Sequence, residues 1–265
     1  MEKIVKSGLE KKAKYCYSKA YMAAKPLILA VETSGRLGSV AVALGQEMLA
    51  ETRFSGPMRH SSELFPAISA LLAQFDRKPK DIEHIYISVG PGSFTGLRIA
   101  VALAKIMHLA NAAKLVPVDT LDVIAANATD FIQAKNADIS KFATILDAKR
   151  GQFYIAVYKR HSKSTDTQYE KIVPDCLMSA SQFLDRFAGN AEPIWLLGEG
   201  LVYYKDTFKA ENIHFFDKDY WNPRAAKVHS LGWELALKGK FADPLTLQPN
   251  YLLRPDAEVK LKSRP

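Results

Sequence analysis

Leu27-Ile28-Leu29-Ala30-Val31-Glu32-Thr33-Ser34-Gly35-Arg36-Leu37-Gly38, running on into Ser39-Val40-Ala41-Val42-Ala43-Leu44, is the stretch on which the fold turns. The apolar run from Leu27 to Val31 reads as a buried strand. A polar, glycine-bearing turn then returns the chain into a second strand, so the pair reads as a hairpin that opens a sheet. The same order recurs at Thr144-Ile145-Leu146-Asp147-Ala148-Lys149-Arg150-Gly151 followed by Phe153 to Tyr158: apolar strand, acid, tight basic turn with glycine, returning strand. A second echo sets Ile194-Trp195-Leu196-Leu197-Gly198-Glu199-Gly200 against Ile85 to Gly92. Two echoes in the same order point to duplication of one αβ unit, and so to two α/β lobes.

Between the echoes a third strand is expected over 47–54, then a Gly-Pro break and a helix that starts near Ser61 or Ser62, whose hydroxyls suit a cap. Leu64, Phe65, Ile68, Leu71, Leu72 and Phe75 fall on one stripe of that helix. Ala67, Ala70 and Ala73 lie on the other side and leave room for another helix. A strand over 82–89 leads into Gly90-Pro91-Gly92-Ser93-Phe94-Thr95-Gly96, and a helix follows from Leu97 to about Ala113. Arg98, Lys105 and His108 are its only polar interruptions before Asn111, so it needs cover on most sides. The chain divides on this reading into a basic extension (1–25), a first lobe (26–125) and a second lobe with tail (126–265).

At 48% apolar residues the 265-residue chain has the ordinary composition of a globular protein with a sizeable core. No apolar run approaches the roughly 18 to 20 residues that span a bilayer, which argues against a membrane protein. Two cysteines, Cys16 and Cys176, are too few for a disulfide framework and suit a reducing compartment, so a cytoplasmic location is expected. The first 25 residues hold seven lysines against Glu2 and Glu10, which supplies +5 of the formal charge of +8. The basic balance is therefore a property of the tail rather than of a nucleic-acid face. Without an apolar h-region or arginines, that tail does not read as a targeting segment. It is expected to be disordered, with Met22 as an alternative start of translation.

Leu29-Ala30-Val31-Glu32-Thr33-Ser34 and, above all, Gly90-Pro91-Gly92-Ser93-Phe94-Thr95-Gly96-Leu97-Arg98 resemble the TsaB (YeaZ) family. His60-Ser61, Leu146-Asp147-Ala148-Lys149-Arg150-Gly151 with Tyr154, and Pro249-Asn250-Tyr251-Leu252-Leu253-Arg254 follow in the family's usual order. The resemblance covers about residues 26 to 256. It implies the two-lobed fold of actin, Hsp70 ATPase domains and sugar kinases, the ASKHA type, with a duplicated mixed sheet and flanking helices. It also implies a non-catalytic partner of the TsaD transferase, required for threonylcarbamoylation of N6 of the adenine next to the anticodon in tRNAs that decode ANN codons. The TsaE ATPase, and tRNA met through the complex, are the further partners implied, with a homodimer when the chain is alone. No cofactor is required on this reading, and weak ATP or ADP binding in the complex fits it. The first strand ends in Glu32 where the family usually has Asp, which lengthens the reach of the carboxylate.

The residues themselves leave two readings of each loop. Gly90 to Gly96, between a strand and a helix, would present amides and the Ser93 and Thr95 hydroxyls to a phosphate at a positive helix end. The glycines equally suit a tight turn and close packing, with Ser93 or Thr95 as a cap, and no Walker lysine follows. Glu32-Thr33-Ser34-Gly35 likewise reads as a phosphate loop or as an ordinary hairpin turn. A vestigial nucleotide cleft is therefore assigned to Glu32, Thr33, Ser34, Gly35, Gly90, Gly92, Ser93, Thr95, Gly96 and Asp147. The rival is an independent ATP-dependent phosphotransferase or ATPase on the same residues, with a metal on Glu32 or Asp147. A peptidase built on Ser93 is a third reading, although GPGSFTG is not the GxSxG elbow.

No catalytic residue is assigned. His60, His84, His108, His161, His214 and His229 include no pair four apart, and no Cys/His cluster occurs, so no metal site is expected. The two helices carry more apolar surface than one sheet face needs, which marks a subunit interface. Leu64, Ile68, Leu71, Leu97, Val101, Ala104, Lys105 and His108 are the expected contacts, and the resemblance implies a helical bundle with TsaD there. Any RNA contact would draw on Lys149, Arg150, Arg254 and the tail.

Overall fold

The computed structural model describes residues 25–160, 169–189 and 192–252. The expected disordered extension, apart from Lys25, and the Leu253-Arg254 end of the matching C-terminal stretch lie outside the described residues.

β1 (Leu27–Glu32), β2 (Ser39–Leu44) and β3 (Glu47–Arg53) form an antiparallel meander. α1 (His60–Gln74) leads to β4 (His84–Gly90), and α2 (Phe94–Asn111) leads to β5 (Lys114–Asp119). The order across this sheet is β3-β2-β1-β4-β5, with β1, β4 and β5 parallel. After α3 (Thr120–Lys135) the pattern repeats. β6 (Lys141–Lys149), β7 (Gln152–Arg160) and β8 (Tyr169–Ser179) are antiparallel, and α4 (Ala180–Phe187) leads to β9 (Ile194–Leu197). A single helical turn, α5 (Leu201–Tyr204), precedes β10 (Ile213–Phe215). The second sheet runs β8-β7-β6-β9-β10, with β6, β9 and β10 parallel. The duplication expected from the two echoes is thus present strand for strand, in the two-lobed mixed-sheet arrangement of the ASKHA type.

β1 shows why the opening run is apolar throughout. Leu27, Leu29 and Val31 face α1 and α2, while Ile28 and Ala30 face the last helix, α6 (Ala225–Leu237). A strand covered on both faces loses the alternation that a half-solvated one keeps. α1 contributes Leu64, Ile68, Leu71 and Leu72 to this packing, and α2 contributes Ala100, Val101, Ala104 and Met107. The core of the second lobe is rich in aromatic rings, Phe142, Phe153, Phe183, Phe208 and Phe216 among them.

Five sequence expectations need correction. α1 opens at His60 with Arg59 at its cap position and no side-chain cap bond, so neither Ser61 nor Ser62 caps it. Phe65, expected on the buried stripe of α1, is 55% exposed. The division between 125 and 126 falls inside α3, which is a core helix and not a linker: Leu121, Ile124 and Ala128 pack in the second lobe while Val123 packs in the first. α6, placed by sequence in the second lobe, closes the free face of the first sheet, where Ala225 N donates to Ser39 Oγ at 2.8 Å and Arg224 pairs with Glu51 at 2.6 Å. α2 opens at Phe94, ahead of Leu97, because Ser93 takes the cap and accepts from Gly96 N at 3.3 Å. Among the described residues no helix is long and apolar enough to cross a membrane.

Candidate functional site

The two glycine-bearing loops meet where β1 and β4 end. Glu32 is fully buried and accepts from Ser34 N at 2.6 Å and from the hydroxyls of Ser34 and Ser88. Burial pushes its carboxyl above the usual range, and the serine hydrogen bonds pull the other way. Thr33 Oγ1 donates to Gly96 O at 2.8 Å, and Ser93 N donates to Ser34 O at 2.7 Å. The Thr33 and Ser34 hydroxyls that a phosphate would need are therefore committed inward.

Gly92 and Gly96 are glycines because backbone passes over backbone here. A Cβ on Gly92 would stand 2.5 Å from Ser34 O, and one on Gly96 would stand 1.9 Å from Thr33 O. The C-terminal Asn250-Tyr251 closes the same corner. Asn250 N donates to Val89 O at 2.6 Å, and Tyr251 lies 5.2 Å from the Phe94 ring and accepts from Arg98 Nε at 3.1 Å. Stretches far apart in sequence that carry the family resemblance hold one another.

Gly35 and Arg36 turn towards the second lobe. Arg36 N donates to Glu199 Oε2 at 2.7 Å, and the Arg36 guanidinium lies 5.0 Å from the centre of the Tyr203 ring. Desolvation pushes the buried Glu199 carboxyl up to about 7; the Arg36 amide opposes this and the Glu32 charge adds to it. Sequence reasoning gave Glu199 no role, although an acid between Gly198 and Gly200 at the end of an apolar strand was the available signal. Asp147 turns back on its own hairpin, where its oxygens take Lys149 N and Lys149 Nζ, each at 2.7 Å.

Glu32, Thr33, Ser34, Gly35, Gly90, Gly92, Ser93 and Gly96 thus come together as one packed corner, with Thr95 exposed at its edge. His60 Nε2 sits 3.0 Å from Gly35 O, and among the described residues no histidine hydrogen-bonds Ser93. Among the described residues, too, no three His, Cys, Asp or Glu side chains are grouped to hold a metal.

Six of the eight expected partner contacts point into the lobe itself. Leu64, Ile68, Leu71, Leu97, Val101 and Ala104 are all buried inside the first lobe, so they are not available to a partner. The sheet takes the apolar stripe of each helix first, which is the usual fate of such stripes. Lys105 and His108 are half-buried, and His108 Nδ1 lies 3.0 Å from Ala113 O. What remains in water is the opposite face. Phe65 is 55% exposed, Ile106 58% and Leu109 87%, with Ala70, Ala73 and Ala102 exposed around them. Lys149 and Arg150 stand exposed at the β6–β7 turn.

A family model described as "TsaD: tRNA N6-adenosine threonylcarbamoyltransferase" matches residues 56–216, more than half of the chain. The "tRNA threonylcarbamoyladenosine biosynthesis protein TsaB" of Bacillus subtilis (strain 168) is 29% identical over 236 residues, covering 88% of this chain and 96% of its own length. The protein of the same description from Escherichia coli (strain K12) is 26% identical over 245 residues, covering 89% of this chain and 99% of its own. Among solved structures, "YeaZ from Pseudomonas aeruginosa" superposes with a TM-score of 0.70 at 22% identity, over 86% of this chain and 100% of that one, and so shares the fold. The chain belongs to this TsaD-type family, and its near-full-length relatives place it among the TsaB (YeaZ) proteins.

Proposed function

We propose that the chain is a non-catalytic partner of a TsaD-type transferase, docking it on the exposed face of α1 and α2. The transferase then attaches threonylcarbamoyl to N6 of the adenine next to the anticodon in tRNAs that decode ANN codons. One observation carries this reading: an open apolar helical face stands beside a loop corner whose Thr33 and Ser34 hydroxyls are spent on internal hydrogen bonds. The descriptions of the relatives, which name threonylcarbamoyladenosine biosynthesis, support it. The chain needs no cofactor of its own, and any ATP or ADP bound in the complex meets the rim of the corner at Thr95. TsaE and tRNA are reached through the complex, in the cytoplasm, and a homodimer of the isolated chain uses the same helical face.

Co-purification with TsaD from the same organism tests the docking. A stoichiometric complex is expected, and it should be lost when Ala70→Arg and Ala102→Arg are introduced together, since both positions are exposed in the free chain. A complex indifferent to both charges would move the interface elsewhere. Steady ATP turnover by the isolated chain, abolished by Asp147→Ala, would favour the phosphotransferase reading instead.

A further inference from the structure

The seam between the lobes is held at two places by carboxyl groups, Glu199 buried and Asp119 about three-quarters buried. At the first, Glu199 follows β9 and takes Arg36 N from the opposite lobe at 2.7 Å. Gly35 packs so closely that a Cβ there would lie 2.9 Å from Glu199 Oε2. The charged groups facing Glu199 are Glu32 of β1, Arg36 of the β1–β2 turn and Lys149 at the end of β6.

At the second, Asp119 ends β5 and caps α3, its Oδ1 accepting from Leu121 N at 2.9 Å. It faces Asp175 and Lys171 of β8. Lys171 Nζ lies 2.7 Å from Asp175, 2.8 Å from Asp122 and 3.7 Å from Asp119, and Tyr158 OH of β7 donates to Asp122 at 2.8 Å. Three carboxyls therefore share one ammonium. α6 completes the wall of a cavity of about 830 Å³ at this place with Lys227, Glu234 and Lys238, of which Lys227 is bound to Asp130 at 2.6 Å.

Glu199 is taken out of water when one lobe lies against the other, and Asp119 loses most of its contact with it. Ionising either group inside the seam exchanges bulk hydration for partners that only partly replace it. Opening the seam hydrates both. We propose that the two lobes close with uptake of protons at Glu199 and Asp119, so that the seam loosens at both places as pH rises.

The direction follows from linkage. Exposed carboxyls ionise at the ordinary acidic pH. Desolvation raises both groups in the closed seam, Glu199 to about 7 and Asp119 likewise well upward, where its hydrogen bond to Asp175 adds to burial and Lys171 opposes it. A raised group favours the closed state fully below its open-state pKa and loses that contribution as pH rises through the closed-state value. Within its window, each linked proton changes the opening equilibrium by about tenfold per pH unit.

Native-state hydrogen exchange of the full chain tests this, read as protection factors at the Arg36 and Leu121 amides, which are held by Glu199 and Asp119. In the wild type both factors are expected to fall by roughly tenfold or more between about pH 6 and pH 9. Glu199→Gln keeps an acceptor for Arg36, and Asp119→Asn keeps a cap for α3. Either variant is expected to lessen the fall at both amides by about the share of the proton it removes, because the lobes part as one event. A flat wild-type profile, or variants that fall as steeply as the wild type, would overturn the proposal. A variant that flattens only its own amide would also overturn it, by reducing concerted closure to two local titrations.

Discussion

Replacing Phe65, Ile106 and Leu109 together by alanine removes apolar surface that the free chain leaves in water. Because these residues are 55%, 58% and 87% exposed, little packing inside the lobe is lost with them. The cost to the isolated chain is about 0.5 kcal/mol or less per site, as for ordinary surface substitutions. In a complex that covers the face, the sum is different. Full burial of such a side chain is worth about 1.5–3 kcal/mol, so scaling by exposure gives Leu109 about 2 and the other two about 1 each. The total is roughly 4 kcal/mol, close to a thousandfold in Kd. Neighbouring positions couple, which spreads the expected loss over about a factor of ten either way. Calorimetric titration of the triple variant with TsaD measures the Kd, and a thermal melt of the same variant checks its fold. A folded triple variant that binds as tightly as the wild type would refute the assignment of this face.

Ala104→Arg, by contrast, sets an unpaired charge in the first-lobe core and is expected to cost about 3–5 kcal/mol of stability, seen as loss of soluble folded chain; a folded variant would show that Ala104 is not buried as described. Gly96→Ala drives a methyl to 1.9 Å from Thr33 O, must push the two loops apart and should lower stability by about 3 kcal/mol in urea unfolding, whereas an unchanged midpoint would contradict the close approach. Burial lowers the His60 and His229 imidazoles and holds His84 near 4. The contribution of each is complete above the unfolded value of about 6.5 and is lost as pH falls through its lowered folded value; for His84 that value is about 4 and the contribution is on the order of 3 kcal/mol at most. With Glu199 and Asp119 acting in the opposite sense, the melting temperature should peak between about pH 6 and pH 7, and a steady rise from pH 5 to pH 9 would contradict this account.

The duplicated meander was legible because a strand buried on both faces leaves an unbroken apolar run, and two such runs with matching turns survive in one sequence. The place of α6 was not legible. Ala225, Val228, Trp233 and Ala236 have a helical period, but a period names a face and not the sheet that covers it; the contact with Ile28, Ala30 and Tyr86 spans most of the chain. The same limit applies to the helices of the first lobe. Of the stripe read over Leu64, Phe65, Ile68, Leu71, Leu72 and Phe75, its own sheet claims Leu64, Ile68, Leu71 and Leu72, which leaves Phe65 outside with Ile106 and Leu109 of α2. For the loops, glycine and serine suited phosphate binding and tight packing equally. The approaches of Gly92 to Ser34 O and of Gly96 to Thr33 O, contacts between distant segments, favour packing.

The most direct test of the central claim is transfer of threonylcarbamoyl to tRNA by TsaD from the same organism, measured with and without this chain. The account predicts modification that depends on the chain, saturates at a fixed ratio to TsaD and is unaffected by Asp147→Ala or Ser93→Ala beyond their effect on folding. Equal modification in its absence would contradict the partner role, and loss of modification with a folded Ser93→Ala variant that still binds TsaD would contradict its being non-catalytic.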